Sequence, residues 1–144
     1  MFANKFYCVS GAASGIGRAT ALELASEKAS GLSLCDLNAD GLKDTADECR
    51  RMGLKTVLTA QFDIRNQSDV ESWIEEAYAT FGRLDGAANV AGIPGSYGAI
   101  ATIVQEDWDR TLSINLNGVL HSLPADTDFH TGQLMQQANL EFWG

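Results

Sequence analysis

The chain has 144 residues, 45% of them hydrophobic and 20% charged, the mix of an ordinary soluble globular protein of one domain with a real core. Ten Lys and Arg stand against nineteen Asp and Glu, and the resulting net charge of −9 argues against nucleic-acid partners and anionic membrane surfaces. No apolar stretch approaches the roughly 20 residues that a spanning helix needs, and a strand-like run at Phe6 begins too early for a secretory leader.

In chain order, Phe6-Tyr7-Cys8-Val9 is a short apolar run that meets Gly11, the pattern of a strand buried in a parallel sheet. The Ala- and Leu-rich segment from Gly15 to Ala29 reads as a helix, with Gly31 in the C′ position that stops it. Leu32-Ser33-Leu34-Cys35 is a second strand, ending on Asp36. Asn38 then reads as the N-cap of a helix with Leu42, Ala46 and Cys49 on one face and Gly53 at its close. Thr56 to Phe62 forms strand three and ends at Asp63. The next helix has the clearest pattern: Ser68 and Glu71 read as a capping box, while Val70, Trp73, Ile74, Ala77 and Phe81 line one face. Gly82 ends it. Leu84 to Val90 supplies strand four, followed by a loop with Gly92, Pro94, Gly95 and Gly98. A last helix is expected over Glu106 to Leu120, with Trp108, Leu112, Leu116 and Val119 on its buried face.

Four alternations of strand and helix with short loops predict an α/β fold, a Rossmann-like doubly wound parallel sheet of about four strands. The alternation stops after Leu120. Residues 1–120 are expected to form the folded half-domain and 121–144 a divergent, poorly ordered tail without Lys or Arg, in which only Gln133 to Leu140 suggests a helical turn. Cys8, Cys35 and Cys49 have a spacing that suits neither a metal site nor a disulfide framework, so no metal is expected. Cysteines inside apolar strands serve as small hydrophobes, which places the chain in a reducing compartment, most simply the cytosol.

The first turn reads Ser10-Gly11-Ala12-Ala13-Ser14-Gly15-Ile16-Gly17. Gly11 permits a tight exit from the strand, Gly15 lets backbone approach a pyrophosphate, and Gly17 lets the helix pack closely with its N-terminus aimed at the phosphates. Asp36 ends the next strand nineteen residues after Gly17, where a carboxylate can accept hydrogen bonds from both hydroxyls of an adenosine ribose.

With these residues the chain resembles the short-chain dehydrogenases/reductases over roughly residues 4 to 120. Ser10 keeps a hydroxyl where the family's motif has threonine. The resemblance implies NAD as cofactor: Asp36 would repel the 2′-phosphate of NADP, and Ser14 is not the basic residue of many NADP-preferring members. It implies that Asp63 and Ile64 meet the adenine ring. Asn89-Val90-Ala91-Gly92 is similar to the family's Asn-Asn-Ala-Gly, which makes Asn89, Ala91 and Gly92 cofactor-side residues. Asp107-Trp108-Asp109 and Ile114-Asn115-Leu116-Asn117-Gly118 are similar to the family's fourth helix, with Asn115 in the place of the catalytic-tetrad asparagine.

The departure falls on the chemistry. The family uses a tyrosine as acid/base, a lysine four residues later that lowers its pKa, and a serine that orients the substrate. Here Tyr7, Tyr78 and Tyr97 are followed four residues on by Gly11, Gly82 and Ala101, and no lysine follows Lys55. His121 and His130 are the remaining candidates for proton transfer. The expectation is therefore an NAD-binding chain of oxidoreductase type that is truncated and inactive. The alternatives are a regulatory or interaction module, and a fragment without independent function. Strand four at a sheet edge and the apolar helix from Glu106 predict self-association or pairing with a full-length relative. The substrate is not legible, since Pro94 to Ala101 is only one side of a pocket.

Overall fold

In the computed structural model, which describes residues 1–122, four strands form one wholly parallel sheet in the order β3-β2-β1-β4. The strands are β1 (Phe6–Ser10), β2 (Gly31–Asp36), β3 (Thr56–Gln61) and β4 (Gly86–Asn89). Parallel strands must be joined by crossovers, which α1 (Gly15–Ser26), α2 (Ala39–Arg51) and α3 (Gln67–Phe81) supply. Beyond β4 come a 3₁₀ turn (Ile100–Thr102), α4 (Gln105–Leu112), a π-helical stretch (Ser113–Asn117) and α5 (Gly118–His121).

Strand alternation assigns the two faces. Val9, Leu32, Leu34 and Val57 point to the layer of α1 and α2, where they pack on Ala21, Leu24, Leu42, Ala46 and Cys49. Cys8 and Cys35 point the other way, onto Val70, Trp73 and Ala77 of α3. Helices on both faces make the sheet doubly wound, as the strand pattern predicts. All three cysteines are free and buried, and burial pushes the Cys8 thiol up to about 12. From β1 the chain first adds β2 and β3 on one side and then β4 on the other. The carboxyl end of β1 is therefore a topological switch point, where open α/β sheets form their ligand crevice.

Several local expectations are corrected. Helix α1 ends at Ser26, and the left-handed residue after it is Lys28 (φ 67°) rather than Gly31. Gly31 is the first residue of β2, and a Cβ there would lie 2.9 Å from the Phe6 ring and 3.0 Å from Phe81, so its smallness serves packing. Asn38 does cap α2, accepting from the Gly41 N–H at 3.2 Å, and Gly53 and Gly82 take the positive φ that closes α2 and α3. The Ser68–Glu71 capping box is absent. The Asn66 N–H donates to the Asp63 carbonyl at 2.8 Å, which turns the chain early enough for α3 to begin at Gln67. Ser68 then donates its hydroxyl to Asn66 Oδ1. Strand β4 is shorter than predicted, because Asp85 leaves the ladder to accept the Phe6 N–H on its carboxylate and to donate its own N–H to the Phe6 carbonyl.

The helix after residue 105 departs furthest. It is broken by the π stretch, and most of its expected core face is bare: Trp108 is 49% exposed, Leu112 36% and Leu116 61%, while Val119 is half-buried. The face that docks carries Gly118 instead, where a Cβ would lie 2.8 Å from Ile64. His121 and Ser122 also belong to this docked end, Ser122 being buried with its hydroxyl donating to Asn89 Oδ1 at 2.9 Å. The tail is expected from residue 121, yet His121 ends α5 and Ser122 is its buried C-cap. The rest of it, from residue 123 onward and including His130 and Gln133 to Leu140, lies outside the described residues.

Candidate functional site

The crevice opens where the β1–α1 turn, the ends of β2 and β3, and the β4 loop converge. Each motif glycine has a measurable reason. Gly11 (φ 69°) comes so close to the β4 loop that a Cβ would lie 2.8 Å from the Ala91 nitrogen. At Gly17 a Cβ would lie 2.1 Å from the Gly11 carbonyl oxygen, so α1 starts directly against the turn. Gly15 (φ 51°) differs, since a Cβ there would meet nothing within 4 Å among the described residues. Its backbone faces open cleft, the cradle a pyrophosphate requires. Ser14 is the N-cap of α1 but makes no side-chain capping bond, so the helix N-terminus keeps its donors for an anion.

Asp36 is held rigidly at the rim. One carboxylate oxygen accepts the Ala13 N–H and the other the Asn38 N–H, both at 2.9 Å. It thereby ties the glycine turn to the start of α2. Each oxygen retains a lone pair for a ribose hydroxyl.

At the far end Asp63 is gripped by Arg65, whose Nε lies 3.0 Å from both carboxylate oxygens and whose backbone N–H donates to Oδ1 at 3.0 Å. The guanidinium holds the Asp63 carboxyl below its ordinary range, so it stays an acceptor well into acid. Ile64 lies alongside, seated on Gly118.

Two predicted residues act behind the cleft and do not line it. Asn89 accepts the Ser122 hydroxyl at 2.9 Å. Asn115, inside the π stretch, pairs with Ile93 through both backbone groups at 2.9 Å, its Oδ1 accepting the N–H and its Nδ2 donating to the carbonyl. Such π turns recur at functional sites, where the extra residue re-aims a side chain. Here the side chain secures the loop after Gly92. Ser10 does similar work, its Oγ accepting the Val90 N–H at 3.1 Å and the Ala91 N–H at 3.2 Å. That bond explains the value of a hydroxyl at the end of β1.

The other ten predicted cofactor residues, Gly11, Ser14, Gly15, Ile16, Gly17, Asp36, Asp63, Ile64, Ala91 and Gly92, line one open cleft of about 540 Å³. That volume is in the range of small-molecule sites. Cys35, Leu37, Phe62, Arg65, Val90, Ile93, Arg110 and Ile114 complete the wall. Arg65 was findable, because a basic residue two positions after a strand-end Asp can fold back on it. Arg110 and Ile114 depend on how α4 docks, which no local pattern states. Among the described residues no group of three His, Cys, Asp or Glu is placed to hold a metal, and no helix is long and apolar enough to cross a membrane.

Comparison with known proteins bears on the family and the fold. The family model described as short chain dehydrogenase matches residues 5–129. The short-chain dehydrogenase/reductase aba4 of Botryotinia fuckeliana is 39% identical over 127 residues, covering 86% of this chain and 49% of that protein. Among solved structures, an NAD⁺-bound xylitol dehydrogenase superposes with a TM-score of 0.80 at 30% identity, over 85% of this chain and 46% of its own. A carveol dehydrogenase from Mycobacterium avium in complex with NAD gives 0.79 at 29% identity, over 84% and 47%. The chain thus spans about half the length of the relatives it matches.

Proposed function

This chain belongs to the short chain dehydrogenase family, and on that premise we propose that its cleft binds NAD, in preference to NADP, as the nucleotide-binding part of an alcohol or carbonyl oxidoreductase. The observation that carries the reading is the fixed Asp36 carboxylate beside the glycine turn. Gly11, Ser14, Gly15, Ile16 and Gly17 would cradle the pyrophosphate, with the N-terminus of α1 aimed at it. Asp36 would take the adenosine ribose, Asp63 and Ile64 the adenine, and Ala91 and Gly92 the nicotinamide side, with Asn89 and Asn115 bracing that wall. The bound dinucleotide would supply hydride chemistry.

Asp36 would exclude NADP by charge, since a 2′-phosphate close to a carboxylate costs about 4 kcal/mol at 4 Å near a protein surface, and less if water screens it. The test is titration of the chain and of Asp36→Asn with both cofactors. Asparagine keeps one oxygen acceptor and sets its amide nitrogen against the other backbone N–H, so the change removes the charge together with one of the two backbone bonds. The lost bond is common to both ligands, so the NAD/NADP ratio reads the charge. The preference for NAD is expected to fall at least about tenfold in the variant. An unchanged preference, or tighter NADP binding by the unaltered chain, would sink the Asp36 assignment.

The 144 residues alone are read as a binding unit without dehydrogenase turnover, in a cytoplasmic setting that fractionation of cells expressing a tagged chain would check. The proposal extends to association. Among the described residues strand β4 has only β1 beside it, and Trp108, Leu112, Leu116 and Leu120 are exposed along one helical stretch. An unpaired edge next to an apolar stripe favours a homo-oligomer or pairing with a longer relative. Light scattering that returns a strictly monomeric mass at micromolar concentration would count against it.

A further inference from the structure

We infer that His121 is a positioning residue for the adenine end of the cleft, acting through the single peptide group that joins Ile64 to Arg65; this rests on the dinucleotide reading above. His121 Nδ1 lies 3.2 Å from the Ile64 carbonyl oxygen. A carbonyl only accepts, so Nδ1 carries the hydrogen and donates it. The N–H of that same peptide, on Arg65, donates to Asp63 Oδ1 at 3.0 Å.

Because a peptide group is planar and stiff, holding its oxygen fixes the direction of its N–H. His121 therefore aims the donor that orients the Asp63 carboxylate, although it does not touch that carboxylate. Polarisation adds to this, since a carbonyl that accepts a bond makes the N–H across the same amide a better donor. The contact is held in place by Gly118, three residues earlier, whose missing side chain lets the helix close to within van der Waals reach of Ile64. Ile64 is thus pinned at its side chain by Gly118 and at its carbonyl by His121. The Asp63 side chain is pinned from outside by the Arg65 guanidinium. The turn that would read the base is preorganised from the far end of the described chain.

The probe is a pair of dinucleotides that differ at one position, NAD and nicotinamide hypoxanthine dinucleotide, in which the 6-amino donor is replaced by an oxygen. A correctly aimed Asp63 carboxylate accepts from the amino group and confronts the oxygen, so the unaltered chain should prefer NAD by roughly tenfold. In His121→Ala that preference should shrink to below about threefold, whereas His121→Asn, whose amide nitrogen reaches the place of Nδ1, should restore most of it. His121→Phe keeps the ring volume without the donor and must behave like the alanine variant, which guards against simple unfolding. Equal weakening of both ligands in the alanine and phenylalanine variants would show a merely structural role and overturn the inference. So would an unchanged preference, or an unaltered chain that binds both dinucleotides equally. An unaltered chain that binds neither would instead overturn the dinucleotide reading itself.

Discussion

Gly17→Ala is expected to abolish high-affinity dinucleotide binding and to destabilise the fold. The added Cβ would sit 2.1 Å from the Gly11 carbonyl oxygen, a backbone atom that has no flexible end to swing away. Either α1 slides off the turn or the turn opens. Overpacking of this kind costs about 1–3 kcal/mol in stability. Binding suffers more directly, because the helix N-terminus and the Gly15 cradle move apart. Losing two charge-assisted hydrogen bonds to a pyrophosphate, at about 1.5 kcal/mol each, is roughly a hundredfold in affinity. Gly53→Ala is the control: its φ of 100° also strains an alanine, but it closes α2 at the opposite end of the sheet. Calorimetric titration and thermal melting of both variants check this. Equal losses of affinity in the two would mean that only general instability is being measured.

Alcohol-dependent NADH formation by the 144-residue chain is expected to stay below detection. General acid–base catalysis contributes on the order of 10²–10⁴-fold in rate, and no tyrosine here is placed to provide it. Tyr7 lies in β1, and its pKa is raised by burial and then by Asp85, the wrong direction for a base near neutral pH. Tyr97 stands 94% exposed in the loop after β4, and Tyr78 belongs to α3 on the sheet's flank. Neither has a lysine four residues on. His121 is engaged with the Ile64 carbonyl through Nδ1. Absorbance at the NADH band with a panel of secondary alcohols reads the outcome. Turnover that scales with the concentration of purified chain would contradict it.

Much of the fold was legible because strands and glycine turns announce themselves locally. The apolar runs gave four strands whose pairing follows from short crossovers, and the positive φ at Gly11, Gly15, Gly53 and Gly82 falls where turns or helix ends were read. The site was legible for the same reason, since parallel strands deliver their carboxyl ends to one edge. Misreadings arose where a partner distant in sequence decides the conformation. Gly31 resembles a helix stop but serves the Phe6 and Phe81 rings. Ser68 has the spacing of a cap, yet the Asp63–Asn66 turn starts the helix before it. The periodicity after Glu106 marks an apolar face correctly and says nothing about whether that face is covered. The π stretch interrupts it so that Asn115 reaches Ile93 and Gly118 reaches Ile64.

The central claim, that the glycine turn holds the pyrophosphate and the Asp63 turn the adenine of one dinucleotide, is tested most directly by amide hydrogen exchange with and without saturating NAD. Protection is predicted in two separated segments, Ala12 to Gly17 and Asp63 to Arg65, with a smaller effect at Gly92 and Ile93, and little change in α2. Protection confined to the glycine turn, or spread evenly over the sheet with no gain at Asp63 to Arg65, would contradict the account.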